Sequence, residues 1–181
     1  MKTIAIMIAA FANCVVIHGQ QSSTSTTGMT GPHIVKNEID IKGEPAAVWE
    51  ALTNPWLTKK YFYGSMVYSD WQPGHSIVFK RKFLWKKIEM KGEIIQIEPG
   101  KLLQYTLHNS AGKNGTATTS TVTDVLTFEN GITKVSITDD VGTGEGADKR
   151  YKRSVKGWNK ILKGLKKTVE KDKNPNVSLI K

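Results

Sequence analysis

The sequence predicts an α+β helix-grip fold: a curved antiparallel sheet of about seven strands wrapped around a long C-terminal helix, with two short helices after the first strand. Three observations predict it. The segment from Glu44 to Trp56 reads as a short helix stopped at Asn54-Pro55. The segment from Gly157 to Lys167 reads as part of a long helix with one apolar stripe. Only strand signals lie between them, punctuated by Pro-Gly and Asn-Gly turns.

The elements follow in order. Val35, Asn37, Ile39 and Ile41 alternate with Ile34, Lys36, Glu38 and Asp40, the pattern of a half-buried strand. Gly43 breaks it. Glu44-Pro45 opens the first helix with an acid and a first-turn proline, both suited to a helix start. Val48, Trp49 and Leu52 form its apolar side, and Pro55 stops it. A second short helix is expected from Trp56 to Phe62. Strands are expected at 64–70, 75–82, 87–98, 101–108, 121–129 and 132–140. Gln72-Pro73-Gly74-His75 and Glu98-Pro99-Gly100-Lys101 carry type II turn chemistry. Asn130-Gly131 asks for the type I′ turn of a tight hairpin. Residues 109–119 form a longer connection. The closing helix is expected from near Gly146 to about Lys171. At 100° per residue, Tyr151, Val155, Trp158, Ile161, Leu162, Leu165 and Val169 fall on one arc. Gly157 and Gly164 share one flank, which implies close approach to neighbouring backbone, since glycine otherwise weakens a helix by about 1 kcal/mol relative to alanine.

A chain of 181 residues is long enough for one domain with a real core. Its net charge is +10, and most of that charge sits on the closing helix. Met1-Lys2 precedes an apolar run from Ile4 to Ala12 that continues through Val15, Val16 and Ile17. The run is short of the ~20 residues that span a bilayer. With the small residue at Gly19 it fits a secretory signal peptide. The expected organisation is a signal peptide over 1–19, a Ser/Thr-rich linker over 20–32, the folded domain over 33–172 and a polar tail over 173–181. The mature protein is then expected to be secreted or periplasmic. Cys14, the one cysteine, lacks the small preceding residue of a lipoprotein signal, because Asn13 stands there. Cleavage is therefore favoured over a lipid anchor at Cys14.

Four motifs in this order resemble a known family. They are Glu44-Pro45-Ala46-Ala47-Val48-Trp49-Glu50-Ala51-Leu52-Thr53-Asn54-Pro55 and Trp71-Gln72-Pro73-Gly74-His75, then Gly92 to Leu103, then Gly157-Trp158 followed by Leu162, Leu165 and Glu170. Together they resemble the SRPBCC (START-like, pollen-allergen-like) superfamily over about residues 33–171. The nearest branch is the AHSA type, named for activators of the heat-shock-protein-90 ATPase. The resemblance implies the helix-grip fold and a cavity for an apolar ligand. It does not imply one activity, because the superfamily includes lipid carriers, cyclases and co-chaperone domains. Asp139-Asp140 stand where the family often has a histidine near the last strand.

Alternation sets which side chains face the closing helix. Leu103, Tyr105 and Leu107 share one face of their strand; Val122, Asp124, Leu126 and Phe128 share one of theirs; Val135, Ile137 and Asp139 share a third. If the apolar sets face inward, Tyr105 and Asp124 come with them. A carboxylate on an apolar face is costly unless paired. It could anchor a ligand's polar end or act as a base. The plainer alternative is a solvated carboxylate near an open end of the sheet, or one bonded to Tyr105 or a backbone N–H.

His33, His75 and His108 lie at a strand start, in a turn and at a strand end. No spacing in the chain suits a metal, and no metal or cofactor is expected. Gly142-Thr143-Gly144-Glu145-Gly146 lacks the Lys-Ser/Thr of a phosphate loop. Ser154 and Thr168 have no histidine partner. The lysine face reads as a solvated helix surface rather than a nucleic-acid platform, because aromatics do not interleave with it. Lys156, Lys160, Lys163 and Lys167 could still meet an anionic surface.

The sequence thus predicts binding of a small apolar or amphipathic ligand between sheet and closing helix. The expected lining is Tyr105, Leu107, Leu126, Ile137, Trp158, Leu162 and Leu165, with Asp124 as polar anchor. Two alternatives stand beside it. One is a cyclase- or hydrolase-like enzyme using Asp124 and Tyr105, which needs a pocket reaching Asp124. The other is a co-chaperone-like interaction module, its cavity closed by Trp158 and Phe128.

Overall fold

The computed structural model describes residues 33–109 and 118–172. The expected signal peptide with Cys14, the Ser/Thr linker, most of the 109–119 connection and the polar tail lie outside the described residues. The element order is β1 (Ile34–Lys42), α1 (Pro45–Thr53), α2 (Pro55–Tyr61), β2 (Met66–Tyr68), β3 (Ser76–Phe83), β4 (Lys86–Glu98), β5 (Leu102–Asn109), β6 (Thr118–Glu129), β7 (Ile132–Asp140) and α3 (Ala147–Asp172). The seven strands form one sheet in the order β1-β7-β6-β5-β4-β3-β2, every neighbouring pair antiparallel. This is the α+β helix-grip architecture, with α3 held against the concave face.

Local chemistry explains the boundaries. Pro45 and Pro55 occupy the first turns of α1 and α2, where a missing N–H costs nothing. Asn54 ends the first helix and caps the second. Its side-chain oxygen accepts from the backbone N–H of Trp56 at 2.9 Å and of Leu57 at 3.4 Å. Asn130 and Gly131 both take positive φ, as a type I′ turn requires, and set the register of β6 against β7. β2 is shorter than expected. Gly64 takes positive φ inside the expected span, so the extended stretch starts only at Met66 and runs to Tyr68.

The core lies between sheet and helix. Val35, Ile41, Val48, Val67, Ile77, Ile94, Val122, Val135 and Leu165 are essentially inaccessible. Two glycines make room for close contacts. A Cβ on Gly92 would fall 1.6 Å from the Thr106 carbonyl oxygen, beside the irregularity between β4 and β5. A Cβ on Gly164 would fall 2.7 Å from Tyr61 Cβ, where α3 crosses α2. Gly157 is different: an added Cβ would meet only the Tyr63 hydroxyl, at 3.7 Å. The far end of α3 is tied to β1 through Glu170, which accepts from the Lys42 backbone N–H at 2.9 Å and from Lys166 at 2.7 Å.

Candidate functional site

The concave face carries two buried carboxylates. Asp124 of β6 and Asp139 of β7 are 3% and 5% exposed, on adjacent antiparallel strands. Asp139 Oδ2 accepts the Trp158 indole N–H at 2.8 Å and a short hydrogen bond from the Ser154 hydroxyl. One oxygen of each carboxylate, Oδ1, is buried with no hydrogen-bond partner. Burial, and then the neighbouring Asp139, push the Asp124 carboxyl up to about 7. Burial, followed by the field of Asp124, also raises the Tyr105 and Tyr61 phenols well above their ordinary range. Both tyrosines therefore stay protonated, and the raised pKa makes Tyr105 a poor proton donor.

Aromatic rings fill the centre around this pair. Phe62 stacks on Phe79 at 4.7 Å between centroids and meets Trp158 edge-on at 6.0 Å; Phe79 lies 6.0 Å from Tyr105. Between sheet and helix lies a cavity of about 20 Å³, bordered by Tyr105, Asp124, Ile137, Trp158 and Leu165 among others. That is room for about one water molecule.

The larger space is elsewhere. A cleft of about 640 Å³ opens at the edge of the grip, between the first half of α3 and the ends of β5, β6 and β7. Tyr63, Leu107 and Val141 supply its apolar wall. Among the described residues, Arg81, Arg150, Arg153, Lys156 and Lys160 supply cations, and Asp139 the single acid. Arg150 is committed to the fold, donating to the carbonyls of Val141, Thr143 and Glu145 at 2.8–3.0 Å. Lys160 sits 5.3 Å over the Tyr63 ring, and the Tyr63 carbonyl accepts from Arg81 at 3.5 Å. The cleft is thus a cationic mouth with an aromatic lip.

The sequence-predicted residues divide between these spaces. Tyr105, Asp124, Ile137, Trp158 and Leu165 border the small central cavity. Leu107 lines the outer cleft instead. Leu126 and Leu162 are 5% and 2% exposed and line neither space. Phe128 is 44% exposed at the hairpin end of β6, so it does not close the centre; Phe62 and Phe79 do, with Trp158. Sequence reasoning missed Asp139 as a site residue, although it shares the parity of Ile137. It also missed the arginines of the cleft, because they belong to the polar face of α3 and to β3. Lys156, Lys160, Lys163 and Lys167 are all exposed. Among the described residues no group of His, Cys, Asp and Glu gathers as a metal site, and no helix is long and apolar enough to cross a membrane.

The family model described as "Activator of Hsp90 ATPase homolog 1-like protein" matches residues 42–170. The chain belongs to this family. It therefore sits in the AHSA branch of the SRPBCC superfamily. Its fold matches a solution structure from Cytophaga hutchinsonii with 34% identity and TM-score 0.59, covering 77% of this chain and 94% of that one. A crystal structure from Mesorhizobium loti matches at 24% identity and TM-score 0.63, covering 76% and 97%. The solution structure of an Aha1 dimer from Colwellia psychrerythraea matches at 17% identity and TM-score 0.59, covering 78% and 98%. No curated protein matches the chain. Membership in the AHSA family is compatible with ligand binding and with co-chaperone-like roles, and selects neither.

Proposed function

We propose that the protein binds a small amphipathic anion, its acid group among the cations of the cleft and its apolar part against Tyr63, Leu107 and Val141. One observation carries this reading: the roomy space in the grip is the 640 Å³ mouth with five cations and one acid among the described residues, while the centre holds about 20 Å³. A cleft of this size is in the range that encloses a small ligand. Cations focused in a cleft draw anions to it. The reading keeps a ligand between sheet and closing helix but moves it outward from Asp124. The enzyme alternative, with Asp124 and Tyr105 as acid–base pair, would need substrate in a water-sized hole. The protein as it functions would be exported, in line with its N-terminal sequence.

Calorimetric titration with dodecanoate, dodecan-1-ol and dodecyltrimethylammonium tests the reading, because the three share a chain and differ in head-group charge. Dodecanoate should bind at least tenfold tighter than the other two, and Arg153→Glu with Lys156→Glu should remove that preference. Equal affinity for all three, or unchanged dodecanoate binding in the double variant, would overturn it.

A second reading, a protein-interaction module, draws on the ring-filled centre and on the exposed row Lys156, Lys160, Lys163 and Lys167. Absence of binding to all three probes would favour it.

A further inference from the structure

The tip of the β3–β4 hairpin is built against the interest of an isolated soluble monomer. Phe83 pairs with Lys86, so Leu84 and Trp85 alone form the turn. Two-residue turns favour asparagine and glycine because one or both positions need positive φ. The same chain uses Asn130-Gly131 for its other tight hairpin. Here the first turn position is Leu84, held at φ 54. A leucine in the left-handed region is strained, and such outliers gather at functional sites. The side chains presented are also large and apolar. Leu84 is 70% exposed and Trp85 88%, the two highest values among the exposed large hydrophobics.

Charge surrounds this tip. Lys80, Arg81, Lys82, Lys86 and Lys87 place five cations within eight residues. The nearby acid, Glu89, lies 3.5 Å from Lys91 and 4.0 Å from Lys80. Among the described residues the tip stands clear of the rest of the sheet. β4 first meets β5 at Lys91, so Lys86–Met90 pair only with β3 among the described residues. Behind the tip, Lys80 lies 5.5 Å over the Tyr68 ring and Lys59 5.8 Å over the Trp56 ring, and Trp56 is 68% exposed. An aliphatic and an indole at an apex, a basic collar, and amphipathic aromatics one layer back match the layers of a membrane interface. Indoles prefer the head-group level, and basic clusters are drawn to anionic lipid.

We infer that the protein docks on anionic lipid surfaces through the β3–β4 hairpin, with Leu84 and Trp85 entering the head-group layer and Lys80, Lys82, Lys86 and Lys87 contacting lipid phosphates. This surface adjoins the ligand cleft at Arg81, which belongs to both, while the cleft's helix cations Arg150, Arg153, Lys156 and Lys160 stay in place when the tip is changed. A single-stranded nucleic acid is the competing basic–aromatic partner. It is disfavoured because stacking needs a groove or platform of rings along a strand, whereas this tip is a two-residue apex with an aliphatic side chain.

The test is flotation of the full protein with vesicles of pure phosphatidylcholine and of phosphatidylcholine with one-quarter phosphatidylglycerol. The wild type should bind the anionic vesicles at least tenfold better, and 0.5 M salt should weaken that binding. Leu84→Ser with Trp85→Ser, and separately Lys82→Glu with Lys86→Glu, should each lower it at least tenfold while thermal unfolding stays close to wild type. Reversal of Lys163 and Lys167 on α3 should change it less than twofold. The inference is overturned if the tip and collar variants bind like wild type or if the α3 variant is the one that fails. It is equally overturned if Trp85→Ser abolishes a self-association or an oligonucleotide complex formed in preference to vesicle binding.

Discussion

Replacing Asp124 by asparagine should change how the protein's stability depends on pH. The carboxyl titrates at about 7 in the folded protein against 3.8 for the free group, because it is buried and because Asp139 lies on the adjoining strand. The native state therefore holds a proton that the unfolded chain releases between those values. Stability falls with rising pH wherever the native state binds more protons. The contribution is thus fully present below about pH 4, is lost as pH rises through the folded value, and levels off above it. The full difference corresponds to about 4 kcal/mol, of which about 2–3 kcal/mol falls between pH 5 and pH 8. Asparagine has nearly the same shape and no charge, so the variant should lack this loss. Urea unfolding at constant ionic strength, followed by tryptophan fluorescence, gives the comparison, with equal slopes required for both proteins. At pH 5 the variant should already be the more stable by about 1.5 kcal/mol, and at pH 8 by about 4 kcal/mol. If the difference between them is the same at both pH values, Asp124 is ionised throughout, and the buried-carboxylate account of this site is wrong.

The two α3 glycines should respond oppositely to alanine. Gly164→Ala gains helix propensity but drives a Cβ to 2.7 Å from Tyr61 Cβ and 3.3 Å from its Cα, a net loss of about 1–2 kcal/mol. Gly157→Ala meets only the Tyr63 hydroxyl at 3.7 Å and should be neutral or stabilising by up to ~1 kcal/mol; chemical denaturation of both separates crowding from propensity. Trp158→Phe should cost about 1.5–3 kcal/mol, because it strips a donor from the buried Asp139, and Trp158→Ala about 3–5 kcal/mol; a Trp158→Phe loss below about 0.5 kcal/mol would mean that the indole N–H does nothing. Leu162→Trp should destabilise by about 1–3 kcal/mol through overpacking, since Leu162 is buried away from both spaces, and should leave dodecanoate binding intact in calorimetry. N-terminal sequencing of the mature protein should begin near Gln20, and an intact Met1 on a soluble cytosolic form would refute export.

The fold was largely legible because its signals are local. Alternation with period two assigned Tyr105, Asp124 and Ile137 to the concave face, and the 3.6-residue stripe assigned Trp158 and Leu165 to the side that meets them. Pro45, Pro55, Asn54 and Asn130-Gly131 marked boundaries with chemistry that acts within a few residues. The β3–β4 turn is harder to read, because Leu84-Trp85 carries none of the usual turn residues.

The site was only half legible, and the reason is volume. A pattern says which side chains face inward; it does not say whether they meet. Phe62 arrives from the end of α2 and Phe79 from β3, and their stacking at 4.7 Å is a contact between elements that no local period encodes. Those rings reduce the expected central cavity to the size of a water molecule. Phe128 has the parity of an inward residue but lies at the hairpin end of β6, where alternation continues beyond the cover that α3 provides. Asp139 shows the same lesson from the other side. Its parity matched Ile137, yet its role comes from Ser154 and Trp158, one helical turn apart on α3, which converge on one carboxylate oxygen. That hydrogen-bonded corner separates the packed centre from the open cleft. The position of Trp158 thereby decides where free space in the grip can exist, and the ligand question passes from Asp124 to the cations that rim the mouth.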